Sequence, residues 1–348
     1  MEKRRLGRTD LNVPALCLGT MMYGDQISEA DAAAQMDACF ERGLNFFDTA
    51  EAYTVPPKPE TQGESERIVG RWMAARKNRD RMLIATKVAG RSSMPWMRDG
   101  GAETRLTPEQ IRFALERSLN NLQTDYVDLY QIHWPDRPVQ LFGGVRTGYV
   151  HYKDKGVPIE ETLSALDGLV KEGKVRHIGL SNESPYGVMK FLNAAERLGL
   201  SRVVSIQNGY NLLNRTFEMG LAEIALEEQV GLLAYSPIGQ GALTGKYLDG
   251  AKPAGSRGAL YNRLQRYETP MADEAVRGYL AIAEKFGVDP AAFAMQFVTT
   301  RPFVTSNIFG ARGMDQLGTV FSSLEIDWTE EMEKAVNDLH GRIQNPCP

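Results

Sequence analysis

Four polar residues of types that can transfer a proton stand at or just beyond the ends of separate apolar runs in this sequence. Asp48, Lys87 and His133 each end such a run, and Tyr53 follows Asp48 by five residues. If the runs are neighbouring strands of a parallel sheet, their carboxyl ends meet at one rim. The sequence therefore predicts a cluster of a phenol, an ammonium, an imidazole and a carboxylate.

Such a cluster is suited to donating a proton. A tyrosine has a pKa of about 10 and is a weak acid at neutral pH, but a cation such as Lys87 lowers the pKa of a nearby phenol. Asp48 could balance the charge of a partly buried Lys87, and His133 could share the proton or orient a carbonyl group. We interpret the four residues as a carbonyl-reducing site, which needs a bound reductant.

The runs that would carry these residues are short, rich in Val, Ile and Leu, and lack polar alternation. This pattern is typical of strands buried on both faces of a parallel sheet. Eight such runs alternate with helical patterns: Pro14–Gly19, Asn45–Asp48, Met82–Lys87, Val127–His133, Val175–Ser181, Val203–Asn208, Gly231–Ser236 and Val304–Phe309.

The alternation predicts an α/β fold, a (β/α)8 TIM barrel that forms one domain over residues 1–348. Lys3–Leu11 contains a Gly-Arg-Thr-Asp turn, which predicts an N-terminal β-hairpin at the bottom of the barrel. Long loops, Trp134–Val157 and Pro237–Met271, follow strands 4 and 7, and the second leads to an additional helix over Ala272–Phe286. Long loops at this face are typical of lids and binding loops.

One helix start is readable in detail. The segment Thr107-Pro108-Glu109-Gln110 predicts a capping box with proline at the first helical position. In such a box the threonine accepts a hydrogen bond from a free backbone N–H, and the Gln110 side chain reaches back to the cap.

Composition narrows the functional class. The net charge is −4 with no basic stripe, so nucleic acid and an anionic membrane are not expected partners. No segment approaches the roughly 20 apolar residues of a membrane helix, and no signal peptide is apparent. Cys17, Cys39 and Cys347 are scattered, which argues against a disulfide framework and a zinc site. We expect a cytoplasmic protein without a metal.

Several motifs together resemble the aldo-keto reductases. They are Gly43–Tyr53, Lys87, Gln131–Pro135, Gly173–Asn182 and Leu233–Pro237. The resemblance extends from about Leu6 to about Leu324, and the segment Thr54–Gly63 with the long loop after strand 4 is similar to a bacterial Tas-like branch. It implies Tyr53 as general acid, Lys87 and Asp48 as the pair that tunes it, and His133 as the partner of the substrate carbonyl.

The resemblance also implies NADPH (NADP) as cofactor, bound across the barrel mouth, and the sequence has no Gly-x-Gly-x-x-Gly motif of a Rossmann site. It implies a set of cofactor-binding residues along that mouth: Gly19, Thr20, Met21, Ser181, Asn182, Gln207, Tyr235, Ser236, Pro237, Ile238, Gln240, Gly241, Lys246, Gly310, Arg312 and Gln316. Arg312, at a predicted helix start, suits the 2′-phosphate of NADPH. Val320 stands where the family commonly has an asparagine that contacts adenine.

A small-molecule carbonyl compound is the expected substrate. Tyr23 and Trp134 are candidate substrate-binding residues, and Trp96, Phe142 and Tyr149 are further aromatic residues in or beside loops. Two other functions stay open. One is an NADPH-binding redox sensor resembling potassium-channel β subunits, and the other is a different barrel enzyme, a Schiff-base lyase that uses Lys87 or a metal hydrolase.

Overall fold

The structure, a computed structural model, describes residues 1–141 and 148–348. Eight parallel strands close into a barrel in which each strand pairs with the next along the chain and the last pairs with the first. They are β3 (Leu16–Gly19), β4 (Phe46–Asp48), β5 (Leu83–Val88), β6 (Val127–Ile132), β7 (Val175–Ser181), β8 (Val203–Gly209), β9 (Gly231–Tyr235) and β10 (Val304–Phe309). Each predicted run forms one strand, which confirms the (β/α)8 barrel.

Helices surround the barrel and cover its outer face with apolar side chains. Their bounds are α1 (Glu29–Glu41), α2 (Glu64–Arg76), α3 (Pro108–Leu122), α4 (Ile159–Lys171), α5 (Pro185–Leu198), α6 (Leu221–Glu227), α7 (Arg257–Tyr261), α8 (Ala272–Lys285), α9 (Pro290–Thr299), α10 (Met314–Ser323) and α11 (Glu330–Arg342). No helix within residues 1–141 and 148–348 combines the length and the apolar character needed to cross a membrane.

The capping box at α3 forms only in part. Thr107 accepts from the backbone N–H of Gln110, as predicted. The Gln110 side chain does not return to the cap, because its Oε1 instead accepts from Arg105 N at 2.8 Å and Arg98 Nε at 3.0 Å. Gln110 thereby ties the loop before α3 to the start of the helix.

An N-terminal hairpin closes the bottom of the barrel, as predicted. Its strands β1 (Lys3–Arg5) and β2 (Asn12–Pro14) pair antiparallel. Leu6 and Val13 from the hairpin are fully buried in a cluster with Phe46 and Leu129 of the barrel interior. Burial of each such side chain stabilises the fold by about 1.5–3 kcal/mol. The lower half of the barrel is therefore filled with apolar groups, and polar groups lie at the other end.

Three long loops leave the carboxyl end of the barrel. The loops predicted after the fourth and seventh barrel strands follow β6 and β9. The loop after β9 contains the short helix α7 and leads to α8, whose bounds differ by one residue from those of the predicted additional helix. A third loop, between β5 and α3, was not predicted as a long loop. It contains two short 3-10 turns, Pro95–Met97 and Asp99–Gly101. The described parts of these loops begin at the polar end of the barrel.

Candidate active site

Lys87 lies at the centre of the polar end and is fully buried. Its Nζ donates to Asp48 Oδ2 at 2.5 Å, to the backbone oxygen of Thr49 at 2.8 Å and to the Tyr53 hydroxyl oxygen at 3.3 Å. The strand pairing explains the convergence, because β4 and β5 are neighbours in the barrel and Tyr53 lies five residues beyond the end of β4. All three N–H groups of the ammonium have an oxygen partner.

The pKa of Tyr53 is raised above its ordinary value of 10.0. Burial is the largest cause, while the Lys87 cation lowers the pKa and Asp48 raises it. The sequence predicted that Lys87 would lower this pKa. Lys87 does act in that direction, but desolvation of the phenolate outweighs it, so Tyr53 keeps its proton at neutral pH.

Lys87 keeps its charge. Burial lowers its pKa, but the charge of Asp48 and the hydrogen bonds to Asp48 and Tyr53 act against burial, and the net pKa is above the ordinary 10.5. A protonated lysine with three oxygen partners has no free electron pair for attack on a carbonyl group.

His133 faces Tyr53 edge-on, with the ring centroids 5.6 Å apart. Burial, and next the charge of Lys87, hold the pKa of His133 well below its ordinary value of 6.5. The imidazole is therefore neutral, and its Nδ1 is buried without a hydrogen-bond partner among the described residues. A neutral imidazole can orient a substrate oxygen through its ring N–H.

Gln131 joins this cluster, and the sequence interpretation assigned it no role. It is fully buried, and its Nε2 donates to Asp48 Oδ1 at 3.1 Å. The same oxygen accepts from Gln207 Nε2 at 2.9 Å. Strand alternation could have identified Gln131, because it lies two residues before His133 and successive side chains of a strand point to opposite faces.

Glu51 was also missed. It is buried two residues before Tyr53 and accepts from Ala89 N at 2.7 Å. Its carboxylate also binds Arg98 through two hydrogen bonds and Arg117 through one. Because Arg98 belongs to the loop after β5, this cluster connects that loop to the segment that carries Tyr53.

The four residues expected at the nicotinamide end, Ser181, Asn182, Gln207 and Tyr235, are joined by hydrogen bonds. Ser181 Oγ donates to the backbone oxygen of Gln207 at 2.7 Å. Asn182 Nδ2 donates to Ser181 Oγ, and Asn182 Oδ1 accepts from the Tyr235 hydroxyl at 2.7 Å. The carbonyl oxygen of the Gln207 side chain, in contrast, has no donor among the described residues. It is the free acceptor of this group.

The start of the loop after β9 holds the other expected cofactor residues, with Pro237 and Ile238 between Ser236 and the 3-10 turn that begins at Gly239. Positive φ angles occur at Ser236, Gln240 and Gly241. At Gly241 a Cβ atom would lie 2.8 Å from Lys246 Nζ, so the absence of a side chain lets the lysine fold over the turn. Gln240 Oε1 is buried without a partner in the described part of the chain.

Arginines gather farther along the same loop, a feature that the sequence interpretation missed. Burial lowers the pKa of Arg257 to about 10, with the charges of Arg263 and Arg266 acting in the same direction. Arg257 Nε donates to the backbone oxygen of Arg263. A concentration of like charges is typical of a site for a phosphate.

At the far end Arg312 precedes α10, as predicted. Its guanidinium donates to the backbone oxygen of Gly255 and to Gln26 Oε1, which are neutral acceptors. Gln316 Oε1 accepts from Arg312 N at 3.0 Å. Val320 is 7% exposed and packs in the core under α10.

The remaining predicted cofactor residues lie where β3 and β10 end. Gly19 pairs with Asp48, and Gly310 lies near it, since a Cβ there would be 3.8 Å from the Gly19 oxygen. Met21 is partly buried. Thr20 is fully buried, and its hydroxyl contacts the backbone oxygen of Asp48 and Ser65. Its side chain therefore does not line the mouth.

The two predicted substrate-binding residues, Trp134 and Tyr23, lie in different parts of the structure. Trp134 lies at the rim, with its ring 4.7 Å from that of His133, and packs with Trp96 in a small apolar cluster. Tyr23 does not reach the rim: it is 1% exposed in the outer core and its hydroxyl donates to Gln35 of α1. Tyr149 is 79% exposed and Phe142 lies outside the described residues.

Metal-ligating side chains do not gather here. Across residues 1–141 and 148–348, no group of three His, Cys, Asp or Glu side chains is placed to hold a metal ion. The chemistry that the described residues offer is hydrogen bonding and proton transfer.

Comparisons with known proteins agree with this geometry. The sequence model of the Aldo/keto reductase family matches residues 15–340. The chain is 46% identical to "Protein tas" of Escherichia coli (strain K12), and the match covers 100% of both chains. It is 34% identical to the "Uncharacterized oxidoreductase YrpG" of Bacillus subtilis (strain 168), over 97% of this chain and 96% of that protein.

A more distant relative is named as a channel subunit rather than as an oxidoreductase. The chain is 30% identical to a "Probable voltage-gated potassium channel subunit beta" of Oryza sativa subsp. japonica, over 94% of this chain and 92% of that protein. The family match spans the barrel from β3 to α11, and the closely similar Tas protein matches along its whole length. The chain therefore belongs to the aldo/keto reductase family of oxidoreductases, in its Tas-like branch.

Proposed function

We propose that the protein reduces an aldehyde or ketone to an alcohol, reversibly, with NADPH as the reductant. One observation carries the proposal: the Lys87 ammonium bridges Asp48 and the hydroxyl of a Tyr53 that keeps its proton. This arrangement stabilises the phenolate only when the proton leaves, which is what a general acid requires.

The residues at the barrel mouth fit NADPH. Gln207 Oε1 is an acceptor without a protein donor, which suits the N–H of a carboxamide. Lys246, Arg257 and Arg312 supply positive charge along the loop and at the start of α10, which suits the pyrophosphate and the 2′-phosphate. Buried oxygens of Asn208 and Gln240 lack partners among the described residues, so further donors can be accommodated.

When bound, the cofactor supplies a hydride to the carbonyl carbon. Tyr53 gives its proton to the carbonyl oxygen and becomes a phenolate beside the Lys87 ammonium, 3.3 Å away. His133 donates a hydrogen bond to the same carbonyl oxygen and orients it toward Tyr53. Trp134 and Trp96 give the substrate an apolar wall. The phenolate recovers a proton from solvent after the alcohol leaves.

The test follows NADPH consumption with a reactive aromatic aldehyde for the wild type and for Tyr53→Phe. Loss of general acid catalysis should lower kcat about 10²- to 10⁴-fold. Affinity for NADPH should stay unchanged, since the phenol is not part of the proposed phosphate or carboxamide sites. Equal turnover by both proteins would overturn the assignment of Tyr53.

The similarity to a potassium channel β subunit supports a second candidate, an NADPH-binding redox sensor. A sensor would retain its cofactor through purification and turn over slowly with every carbonyl compound, whereas a reductase would release it during turnover. For the Schiff-base alternative, the charge and three oxygen partners of Lys87 argue against a nucleophilic amine. Borohydride should trap no substrate on Lys87.

A further inference from the structure

Gln131 crosses the interior of the barrel just below the proposed carboxamide site. In the strand pairing it stands between Lys87 of β5 and Gly179 of β7. A Cβ on Gly179 would lie 3.2 Å from Gln131 Cγ and 2.6 Å from Ser205 Oγ. The missing side chain at Gly179 therefore leaves the space through which Gln131 extends.

The amide of Gln131 holds the amide of Gln207. Gln131 Oε1 accepts from Gln207 Nε2 at 3.1 Å, and the same nitrogen donates to Asp48 Oδ1 at 2.9 Å. An amide nitrogen carries two N–H groups, so both N–H groups of Gln207 are engaged in fixed directions. The amide plane of Gln207 is locked by two bonds.

The two hydrogen bonds from Gln207 Nε2 determine which atom of the Gln207 amide is available to a ligand. A reversed Gln207 amide would place its carbonyl oxygen against oxygens of Asp48 and Gln131, which repel it. The carbonyl oxygen is thus aimed away from both, and among the described residues it meets no donor. Gln207 presents an acceptor and no donor.

We infer that Gln131 is a positioning residue that makes Gln207 select a ligand with an N–H group at the carboxamide position. This inference rests on the proposed function, because the ligand in question is the nicotinamide cofactor. Without Gln131 a single bond would hold Gln207, and its terminal torsion, which has a broad energy profile, would no longer be fixed.

The test compares the binding of NADP⁺ with that of its 3-acetylpyridine analogue, in which a methyl group replaces the carboxamide nitrogen. Quenching of tryptophan fluorescence gives both Kd values. The wild type should bind NADP⁺ about tenfold more tightly, the value of one good hydrogen bond. In Gln131→Met this ratio should fall at least threefold, because the acceptor is no longer aimed.

Two variants separate positioning from general packing. Gln131→Glu keeps an acceptor for Gln207, and one of the two neighbouring carboxyl groups takes up a proton, so the ratio should stay within twofold of the wild type. Gln296→Met removes another buried amide, which donates to the backbone oxygen of Ile326, and should leave the ratio unchanged. If Gln131→Met does not fold, Gly179→Ala combined with Ser205→Ala shifts Gln131 by a few tenths of an ångström and should lower the ratio in the same direction, by less.

The outcomes are distinct. An unchanged ratio in Gln131→Met, or an equal fall in Gln296→Met, would overturn the role of Gln131 while the proposed reductase function stands. Failure of the wild type to bind either compound would overturn the proposed function, and this inference with it.

Discussion

The two ends of the barrel mouth differ in whether their charged side chains form ion pairs. The reaction end is the part around Lys87 and Tyr53, and the other end is the part around Lys246, Arg257 and Arg312. At the reaction end each buried ion has its partner within the protein: Lys87 pairs with Asp48, and Glu51 pairs with Arg98 and Arg117. At the end proposed to bind the cofactor phosphates, here called the phosphate end, no ion pair joins Lys246, Arg257 or Arg312 to a carboxylate within residues 1–141 and 148–348. The buried charges at the reaction end are paired within the protein, whereas these three cations at the phosphate end are not paired with carboxylates.

This difference separates positioning from binding. A proton donor must be held in place before the substrate arrives, and buried ion pairs and hydrogen bonds provide that preorganisation. A phosphate site gains affinity when its cations are not already neutralised, because the ligand then supplies the missing charge. The reaction end should therefore lose stability when altered, and the phosphate end should lose cofactor affinity.

The largest effect is expected at Lys87. Lys87→Met leaves Asp48 buried without its cation, which should cost about 3–5 kcal/mol of unfolding free energy. Turnover should disappear, because the Tyr53 phenolate loses its stabilising charge. Urea denaturation and NADPH consumption measure the two effects.

A double variant then separates the two effects. Lys87→Met combined with Asp48→Asn removes both charges and keeps an amide oxygen that can accept from Gln131 and Gln207. This double variant should recover most of the lost stability, yet it should remain inactive. Recovery of turnover in this double variant would mean that the ion pair does not act on Tyr53.

At the phosphate end, Arg257→Met should have mixed consequences. NADPH affinity should fall about tenfold, as expected for the loss of one charged hydrogen bond. The cofactor-free protein should become more stable, because burial and the charges of Arg263 and Arg266 disfavour the Arg257 cation. Thermal unfolding with and without NADPH measures both, and a loss of stability without cofactor would contradict the contrast between the two ends.

Arg312→Gln should have a smaller effect, confined to the choice of cofactor. The wild type should prefer NADPH to NADH, because only NADPH has a 2′-phosphate to meet the guanidinium. The preference should fall several-fold in the variant while NADH affinity stays the same. Fluorescence titration with both cofactors measures it, and an equal loss of NADH affinity would place Arg312 elsewhere on the ligand.

The smallest effect is expected from pH on the reaction. The pKa of His133 is well below 6.5 and that of Tyr53 is above 10.0, so neither group should titrate between pH 7 and 8. The value of kcat/KM for reduction should be constant there and decline only at alkaline pH, as Tyr53 loses its proton. An inflection near pH 6.5 that is absent in His133→Asn would contradict a neutral imidazole.

The titration of His133 should also make the free energy of unfolding depend on pH. Because the pKa of His133 is lower in the folded chain than in the unfolded chain, the unfolded chain binds more protons near pH 6. The free energy of unfolding should therefore fall as pH drops below 6.5, with His177 and His340 acting in the same direction. In His133→Asn the pH dependence should be weaker.

The sequence by itself determined the barrel and the residue types at its rim. Eight short runs rich in Val, Ile and Leu, without polar alternation, favour a parallel sheet buried on both faces, and the residue that ends each run must then lie at the carboxyl rim. Asp48, Lys87 and His133 could be identified for this reason, and Tyr53 because it follows Asp48 by five residues. Family motifs supplied the expected cofactor residues, a step that needed the resemblance rather than the physics of the run.

Only the tertiary structure decided which of those side chains reach the mouth and in what state. Tyr23 and Thr20 turn into the core, and the net pKa of Tyr53 rises, because burial depends on contacts between distant segments. The roles proposed for Gln131 and Arg257 could be recognised only in the structure, for the same reason. Their partners lie on other strands or on another part of a folded loop, and hydrogen bonds and charge repulsion act over distances in space that sequence separation does not specify.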